Sequence, residues 1–316
     1  MIDPWTAIAV GRANGDVSRG GFFYNAGFYF QYDFQHRVVF EQLESGRKEF
    51  TFSYWTNPDA PDYSDVNVWN TQTIETLPDG SQNRVYSNAA SQPLLTILQE
   101  AVTGYQWYSY IQYDTLFNQI LQANSAAVAS VTEPTLSDYT LTVNLHAAGL
   151  IQCQVFYTST DPSIGAVQNR LQMQTVQQGT AGTPVTVRSF TYASQTAFGQ
   201  TIYPVSSQSV YPAGSAVTTS FAFTYYVAGS APTFQVQQQT ITYPAVPSDQ
   251  NGSGIAGAEQ SYYDTYGRLI WYMNQQGAIS YTAYDNATGA VIQQIADVNT
   301  ALMTGARGDA GSGLNI

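Results

Sequence analysis

A short motif recurs at a spacing of 21 or 22 residues, and this period restricts the chain more than any other feature. Toward the C-terminal end, Tyr263-Asp264 is followed by Gly267-Arg268-Leu269, Gly277, Tyr281, Tyr284-Asp285 and Gly289. Tyr263 to Tyr284 is 21 residues and Gly267 to Gly289 is 22. Toward the N-terminal end, Tyr32-Asp33 leads through Gly46 to Tyr54, again 22 residues on. Tyr113-Asp114, preceded by Tyr108 and Tyr110, opens the same pattern in the middle of the chain. A unit this short is one supersecondary element, and it buries its face only against its neighbours. Each residue type has a physical reason to be there. Tyr suits a half-buried pleated surface. Asp hydrogen-bonds its own turn backbone. Gly267 supplies a positive φ. Arg268 is expected to pair with the Asp of an adjacent repeat while its stem covers Tyr rings.

The segments between these motifs alternate with a period of two. Tyr139, Leu141, Val143 and Leu145 share one face, and Ile151, Cys153, Val155 and Tyr157 another. The small residues Ala147-Ala148-Gly149 lie between, so the two runs are expected to form a hairpin. Phe221 to Val227 and Phe234 to Tyr243 read as a second pair across Ala228–Pro232, and a third pair closes over Leu77-Pro78-Asp79-Gly80. The runs 93–102 and 291–302 are short and apolar; periodicity alone does not separate strand from helix there. Their strand neighbours favour strands.

Charge is scarce. Charged residues make up 10% of the 316 residues, against about 25% in an average soluble protein. The only lysine is Lys48, and residues 189–248 carry no charge and no His. Long solvated helices need Glu, Lys and Arg on their outer faces, so the composition points to β structure. The uncharged stretch reads as a neutral polar sheet face, interrupted by five prolines that oppose stacking into fibrils. A net charge of −12 without a basic cluster excludes nucleic acid as a partner. No apolar run is long enough to span a bilayer, so no membrane insertion is expected. Residues 1–30 lack a charged segment followed by an apolar one, so no signal peptide is expected in this chain. The single Cys153 rules out an internal disulfide framework.

The Tyr-Asp, Gly-Arg-Leu, Gly, Tyr-x-x-Tyr-Asp order at 263–285 resembles the RHS/YD-repeat family, closely at 260–297 and loosely over most of 22–300. His36 and Phe117 stand where Gly267 does, so those two turns are expected to need a different geometry. The resemblance implies an all-β fold: consecutive β-hairpins forming a curved, open, antiparallel spiral sheet. It implies a structural repeat carried by Tyr32, Asp33, Tyr113, Asp114, Tyr263, Asp264, Gly267, Arg268, Leu269, Gly277, Tyr281, Tyr284, Asp285 and Gly289. It further implies a non-catalytic shell segment of a large bacterial protein, serving encapsulation, toxin delivery or contact between cells. The implied partners are the rest of a longer protein or an encapsulated polypeptide. The implied location is the cell surface or the extracellular space. The family's Asp-rich self-cleavage run is not found here, so the chain reads as shell wall and as a fragment of something longer. The expected organisation is an irregular lead-in over 1–21, repeat segments over 22–133 and 261–300, and a Gln/Thr-rich β segment over 134–248. A loop over 249–260 and a disordered tail over 301–316 complete it.

Little else carries chemistry. Two histidines without a partnered nucleophile support no catalytic site, no cofactor is implied, and the chain is not expected to be an enzyme. His146 falls on the polar face of its strand. Cys153 falls on an apolar face and reads as a buried, inert thiol. Asp59, Asp62 and Asp65 cluster, but their spacing is not that of a calcium loop and two prolines favour a turn. A paired-carboxylate glycosidase would need two acids about 5–10 Å apart in a cleft. Gly252-Ser-Gly254-Ile-Ala-Gly257 follows a loop instead of a strand, so it is not a nucleotide fingerprint. Arg307-Gly308-Asp309 reads as a chance tripeptide in the tail. The alternative function is a carbohydrate-binding or adhesive surface, which an exposed row of Trp107, Tyr108 and Tyr110, or of Trp271 and Tyr272, would support.

Overall fold

Alternating Tyr, Phe, Val, Thr and Gln fit a pleated surface, and in the computed structural model they build strands with no α-helix among the described residues. Those residues are 27–60, 64–212 and 214–298. The chain divides into two compact units. The first comprises Met1–Gln154 and Thr175–Val185, the second Val155–Gln174 and Thr186–Ile316.

In the first unit the strands follow one another as a meander: β1 (Phe28–Tyr32), β2 (Val38–Leu43), β3 (Lys48–Thr56), β4 (Thr71–Thr76), β5 (Gln82–Ser87), β6 (Pro93–Gln99), β7 (Gln106–Tyr113) and β8 (Gln119–Ala123). Each is antiparallel to the next. The run from Pro93 is therefore a strand. β9 (Val128–Thr132) and β10 (Thr142–Leu145) pair with each other as a separate hairpin, and β11 (Leu150–Phe156) pairs with β8. The hairpin expected across Ala147–Gly149 is thus not formed. Period-two alternation identifies a strand but not its partner, and both runs found partners earlier in the chain.

Register explains where this unit's core sits. Trp55, Gln72, Tyr86, Leu95, Tyr110, Ala123 and Ile151 line up across the strands in one row. That face carries the large buried side chains, joined by Trp69 at 1% exposure, Leu94 and Ile97. Val131, Tyr139, Leu141 and Val143, from the β9–β10 hairpin and its connection, pack against it. The indole Nε1 of Trp69 donates to the Tyr139 carbonyl at 2.6 Å. The opposite face presents Tyr54, Thr73, Val85, Thr96 and Ser109 in register. One covered face and one polar face is the usual economy of an antiparallel sheet.

In the second unit β13 (Val185–Tyr192) pairs with β16 (Val205–Val210), with the small hairpin β14 (Gln195–Ala197) and β15 (Gln200–Ile202) between them. The meander continues through β17 (Val217–Ala228), β18 (Ala231–Thr242), β19 (Ala258–Tyr263), β20 (Leu269–Met273), β21 (Ile279–Tyr284) and β22 (Val291–Ile295). β12 (Leu171–Gln178) contributes residues to both units. The second expected hairpin is present, and its turn is shorter than anticipated, with Ala228 opposite Ala231. Hydroxyls bridge the neutral strands in place of charges. Thr191 Oγ1 lies 2.6 Å from Ser207 Oγ, and Ser209 Oγ lies 2.7 Å from Thr218 Oγ1. The all-β, antiparallel class expected from the sequence is what the chain adopts. The expected tail, the Arg307-Gly308-Asp309 tripeptide and Asp62 lie outside the described residues.

Candidate functional site

The repeated feature is a hairpin turn built around one side chain. Asp264 Oδ1 accepts the amide protons of Tyr266 and Arg268, each at 2.9 Å. The Gly267 amide donates to the Asp264 carbonyl at 3.0 Å, and the Asp264 amide donates to the Arg268 carbonyl at 2.9 Å. Arg268 Nε closes the ring by donating to Asp264 Oδ2 at 2.6 Å. Asp33 repeats every element. Its Oδ1 accepts from Gln35 and Arg37 at 2.8 and 3.0 Å, and its Oδ2 accepts from Arg37 Nε at 2.8 Å. Asp114 does the same, with Asn118 Nδ2 replacing the guanidinium at 3.0 Å.

Two corrections to the sequence reading follow. The fourth residue of each turn needs a positive φ, and Gly267 has 82°, but His36 adopts 63° and Phe117 adopts 64° in the same turn. The geometry is shared because the aspartate holds it, and a non-glycine residue accepts a left-handed backbone that costs roughly 1 kcal/mol. Arg268, in turn, pairs with the aspartate of its own turn. It reaches the adjacent repeat through the Asp285 carbonyl, at 3.3 Å, and the Tyr284 ring, not through the Asp285 carboxylate.

Sequence reasoning missed two further turns of this kind. Asn88 Oδ1 accepts from Ala90 and Gln92, with Ser91 at φ 62°. Asn274 Oδ1 accepts from Gln276 and Ala278, with Gly277 at φ 82°. The available signal was an Asn or Asp five residues before the start of a strand, since Asn makes the same side-chain-to-backbone turn as Asp. Asp285 heads a version one residue longer, in which its amide donates to the Ala290 carbonyl at 2.8 Å and Gly289 has φ 73°.

A tyrosine from the next strand closes each of several turns at its base. Tyr54 donates its hydroxyl to the Val38 carbonyl at 2.7 Å, Tyr113 to Pro93 at 3.1 Å, Tyr192 to Leu171 at 2.9 Å and Tyr284 to Leu269 at 3.0 Å. In all four cases the acceptor is the first residue of the strand that leaves a turn. The turn arginine lies over the same ring: Arg37 is 4.2 Å from the centroid of Tyr54, and Arg268 is 4.8 Å from that of Tyr284. A neutral hydrogen bond of this kind contributes about 1 kcal/mol, and an exposed cation–π contact about 0.5–1 kcal/mol. Tyr263 is used otherwise: its carbonyl accepts the Tyr226 hydroxyl at 2.6 Å. Tyr281 stacks on Trp271 with centroids 4.4 Å apart.

Electrostatics follow the same turns. Burial works to raise the Asp264 carboxyl, but the hydrogen bonds from the Arg268 amide and guanidinium and the Tyr266 amide outweigh it and hold the group below the usual carboxylate range. Asp33 is lowered in the same way. Asp285 is lowered mainly by the hydroxyl and amide of Thr288. Burial pushes the Tyr86 phenol up, reinforced by its hydrogen bond to Glu133 Oε2 at 2.7 Å. Glu133 also pairs with Arg84 at 3.0 Å.

The remaining candidates resolve into local structure. Asn57 Oδ1 accepts from Asp59, and Asn57 Nδ2 donates to the Trp69 carbonyl. No group of three metal-binding side chains occurs among the described residues. His146 Nδ1 accepts the Ala148 amide at 2.9 Å on the surface. Cys153 is half-buried where a buried thiol was expected, and burial pushes its thiol up. Neither expected aromatic row is exposed along its length: Trp107 is exposed but Tyr108 and Tyr110 pack against the first unit's core, and Trp271 is 6% exposed. Two hollows in the surface are open dents. One of about 540 Å³ is lined by Leu150, Val176 and Thr183, and one of about 290 Å³ by Phe223, Phe234 and Tyr263.

No family model matches the sequence, and no curated protein matches it. Among solved structures, the chain is similar to the crystal structure of TcdB2-TccC3 at 12% identity and a TM-score of 0.33, covering 86% of this chain and 14% of that one. The Photorhabdus luminescens Tc holotoxin pore gives 12% identity and 0.31 over 84% of this chain and 14% of that chain. TcdB2-TccC3-Cdc42 gives 11% and 0.33 over 85% and 16%. The chain thus spans a small fraction of the length of these neighbours.

Proposed function

We propose that this chain is a non-catalytic wall segment of an RHS/YD-repeat β shell, part of a longer protein that encloses or delivers a polypeptide at the cell surface or outside the cell. The observation that carries the reading is the recurrence of one side-chain-held turn at Asp33, Asn88, Asp114 and Asp264 in different sequence contexts, stapled by a tyrosine at Asp33, Asn88 and Asp264. A catalytic site would concentrate unusual geometry in one place, whereas here the same modest device is repeated along the sheet, as a repeat scaffold requires. The low charge fits this role, because a neutral polar surface offers an enclosed chain few strong contacts. Antibody detection in fractionated source cells tests the reading. The expected result is a band far above 34.5 kDa in the surface or secreted fraction, with this segment resistant to added protease. A cytoplasmic band at the chain's own mass would refute it.

A further inference from the structure

The face of the first unit's sheet opposite its core ends in a patch of exposed rings and acids. Two positions along from Tyr54, Thr73, Val85, Thr96 and Ser109, that face carries Phe52, Glu75, Asn83, Leu98 and Trp107 in register. Leu98 is 41% exposed and Trp107, opposite it, 48%. The Glu100 amide donates to the Tyr105 carbonyl at 2.9 Å, so the pairing runs further and strand alternation places both residues on this face. Tyr105 is 67% exposed. The β4–β5 turn lies beside this end, where the Ala101 amide donates to Ser81 Oγ at 3.3 Å, and it adds the exposed Asp79. Glu75 and Glu100 have neutral partners, Asn83 Nδ2 and the Thr103 hydroxyl. Among the described residues no basic side chain pairs with Glu75, Asp79 or Glu100, and none lies over Trp107 or Tyr105.

We propose that this patch docks an extended basic polypeptide, whose arginine or lysine cations lie on the Trp107 and Tyr105 rings and against the three carboxylates, while its apolar side chains cover Leu98. Charge decides the occupant. A net charge of −12 repels phosphate-bearing partners. Carboxylates without counter-charge beside two open rings attract a cation through its charge and through the ring quadrupole together. The chain already uses this combination internally. Asp33 holds the Arg37 guanidinium while Tyr54 lies 4.2 Å beneath it, and Asp264 holds Arg268 over Tyr284 at 4.8 Å. The patch presents the ring and the carboxylate of that clamp without its arginine. Size fits as well. Phe52 to Trp107 crosses four strand spacings, about 19 Å, the length of about six extended residues. Binding by the purified chain is independent of its mass in the cell, so this docking surface and the shell reading fail separately.

The test titrates the purified 316-residue chain into a fluorescein-labelled octapeptide of alternating Arg and Leu, followed by anisotropy. Saturable binding that weakens as salt rises is expected. The same peptide with Gln in place of Arg is expected to bind about tenfold more weakly. Trp107→Ala is expected to cost about tenfold. Trp107→Leu, which keeps an apolar side chain and removes the ring face, is expected to cost about fivefold. Glu75→Gln combined with Glu100→Gln is expected to cost about fivefold and to flatten the salt dependence. Phe34→Ala, at an exposed ring outside the patch, is expected to leave binding unchanged. Absence of saturable binding, equal binding of the Gln peptide, or full affinity in Trp107→Ala overturns the proposal. General attraction to an acidic chain would survive Trp107→Ala and so counts against it. Saturation by a neutral hexasaccharide without peptide binding overturns it too. Retained folding of each variant is checked by circular dichroism.

Discussion

In the first unit Trp69, Leu95 and Ile97 lie beneath a hairpin laid across the sheet at 0–1% exposure, whereas in the second unit the buried large side chains Val167, Trp271, Ile279 and Tyr192 keep 5–9%. Both units are meanders of short strands joined by tight turns, so the hairpin alone does not create a core. What differs is the size of the added layer: in the second unit the short β14–β15 hairpin lies against β18, with Phe198 edge-on to Phe234 and Gln195 donating to the Thr233 carbonyl. Residues 128–145 give the first unit a lid of Val131, Tyr139, Leu141 and Val143, and a partly buried ion pair, Arg84 with Glu133, fastens it. The second unit compensates laterally, through hydroxyl bridges between strands and through tyrosine staples. Burial by layering scales with area, while lateral bridging adds modest increments bond by bond.

This contrast can be broken most forcefully at Trp69. Trp69→Ala removes a ring 5.1 Å from Trp55 and 5.6 Å from Tyr86, and is expected to destabilise the first unit by about 3–5 kcal/mol. Urea unfolding followed by hydrogen exchange will then show the first unit opening early and β16–β21 unaffected. If both units open together, they are one cooperative body and the comparison fails. Glu133→Gln comes next. It leaves the Arg84 guanidinium, with a side chain only 11% exposed, without its counter-charge. The expected loss is about 2 kcal/mol, below the range for a fully buried pair because Glu133 is partly exposed. Protection of the amides on β9 and β10 reports it.

Smaller effects sharpen the lateral side of the comparison. Tyr54→Phe and Tyr192→Phe are each expected to cost about 1 kcal/mol, measured by thermal unfolding. Equal losses in both units would establish the staple as common currency, and a loss in one unit alone would restrict it. His36→Gly is expected to stabilise by up to about 1 kcal/mol, because glycine accepts the positive φ without a steric penalty. Acid gives the smallest effect. The carboxyls of Asp33, Asp264 and Asp285 lie below their ordinary values, so their contribution is present above the unfolded pKa and fades as pH falls through the folded one. Protection of the Arg37 and Arg268 amides relative to their intrinsic exchange rates is expected to fall over that acidic window, while that of the Asn88 turn stays level.

Much of the repeat was legible because Tyr-Asp and Gly-Arg-Leu carry their own geometry: a strand end, a side-chain-held turn and a positive φ. The Asn88 and Asn274 turns were not read because attention to Tyr-Asp hid the wider rule that any Asn or Asp serves. His36 and Phe117 misled for a related reason, since a glycine at the fourth position is sufficient but not required once the aspartate is in place. The partner of β10 was illegible because alternation reports a face and is silent on the neighbouring strand. The lid was illegible too, since Tyr139, Leu141 and Val143 look like any other strand residues until their burial is known.

The turn held by a single carboxylate or amide has a consequence for variation. Its second and third residues are Phe34-Gln35, Ala89-Ala90, Thr115-Leu116, Thr265-Tyr266 and Gln275-Gln276, and apart from Tyr266, which lies against Arg268, and Gln275, which donates to Glu259, they contribute little besides backbone. These apex positions are therefore free to drift in size and polarity while the fold stays put. The scaffold can change its outward display repeat by repeat, as type on a fixed press can be reset without rebuilding the frame.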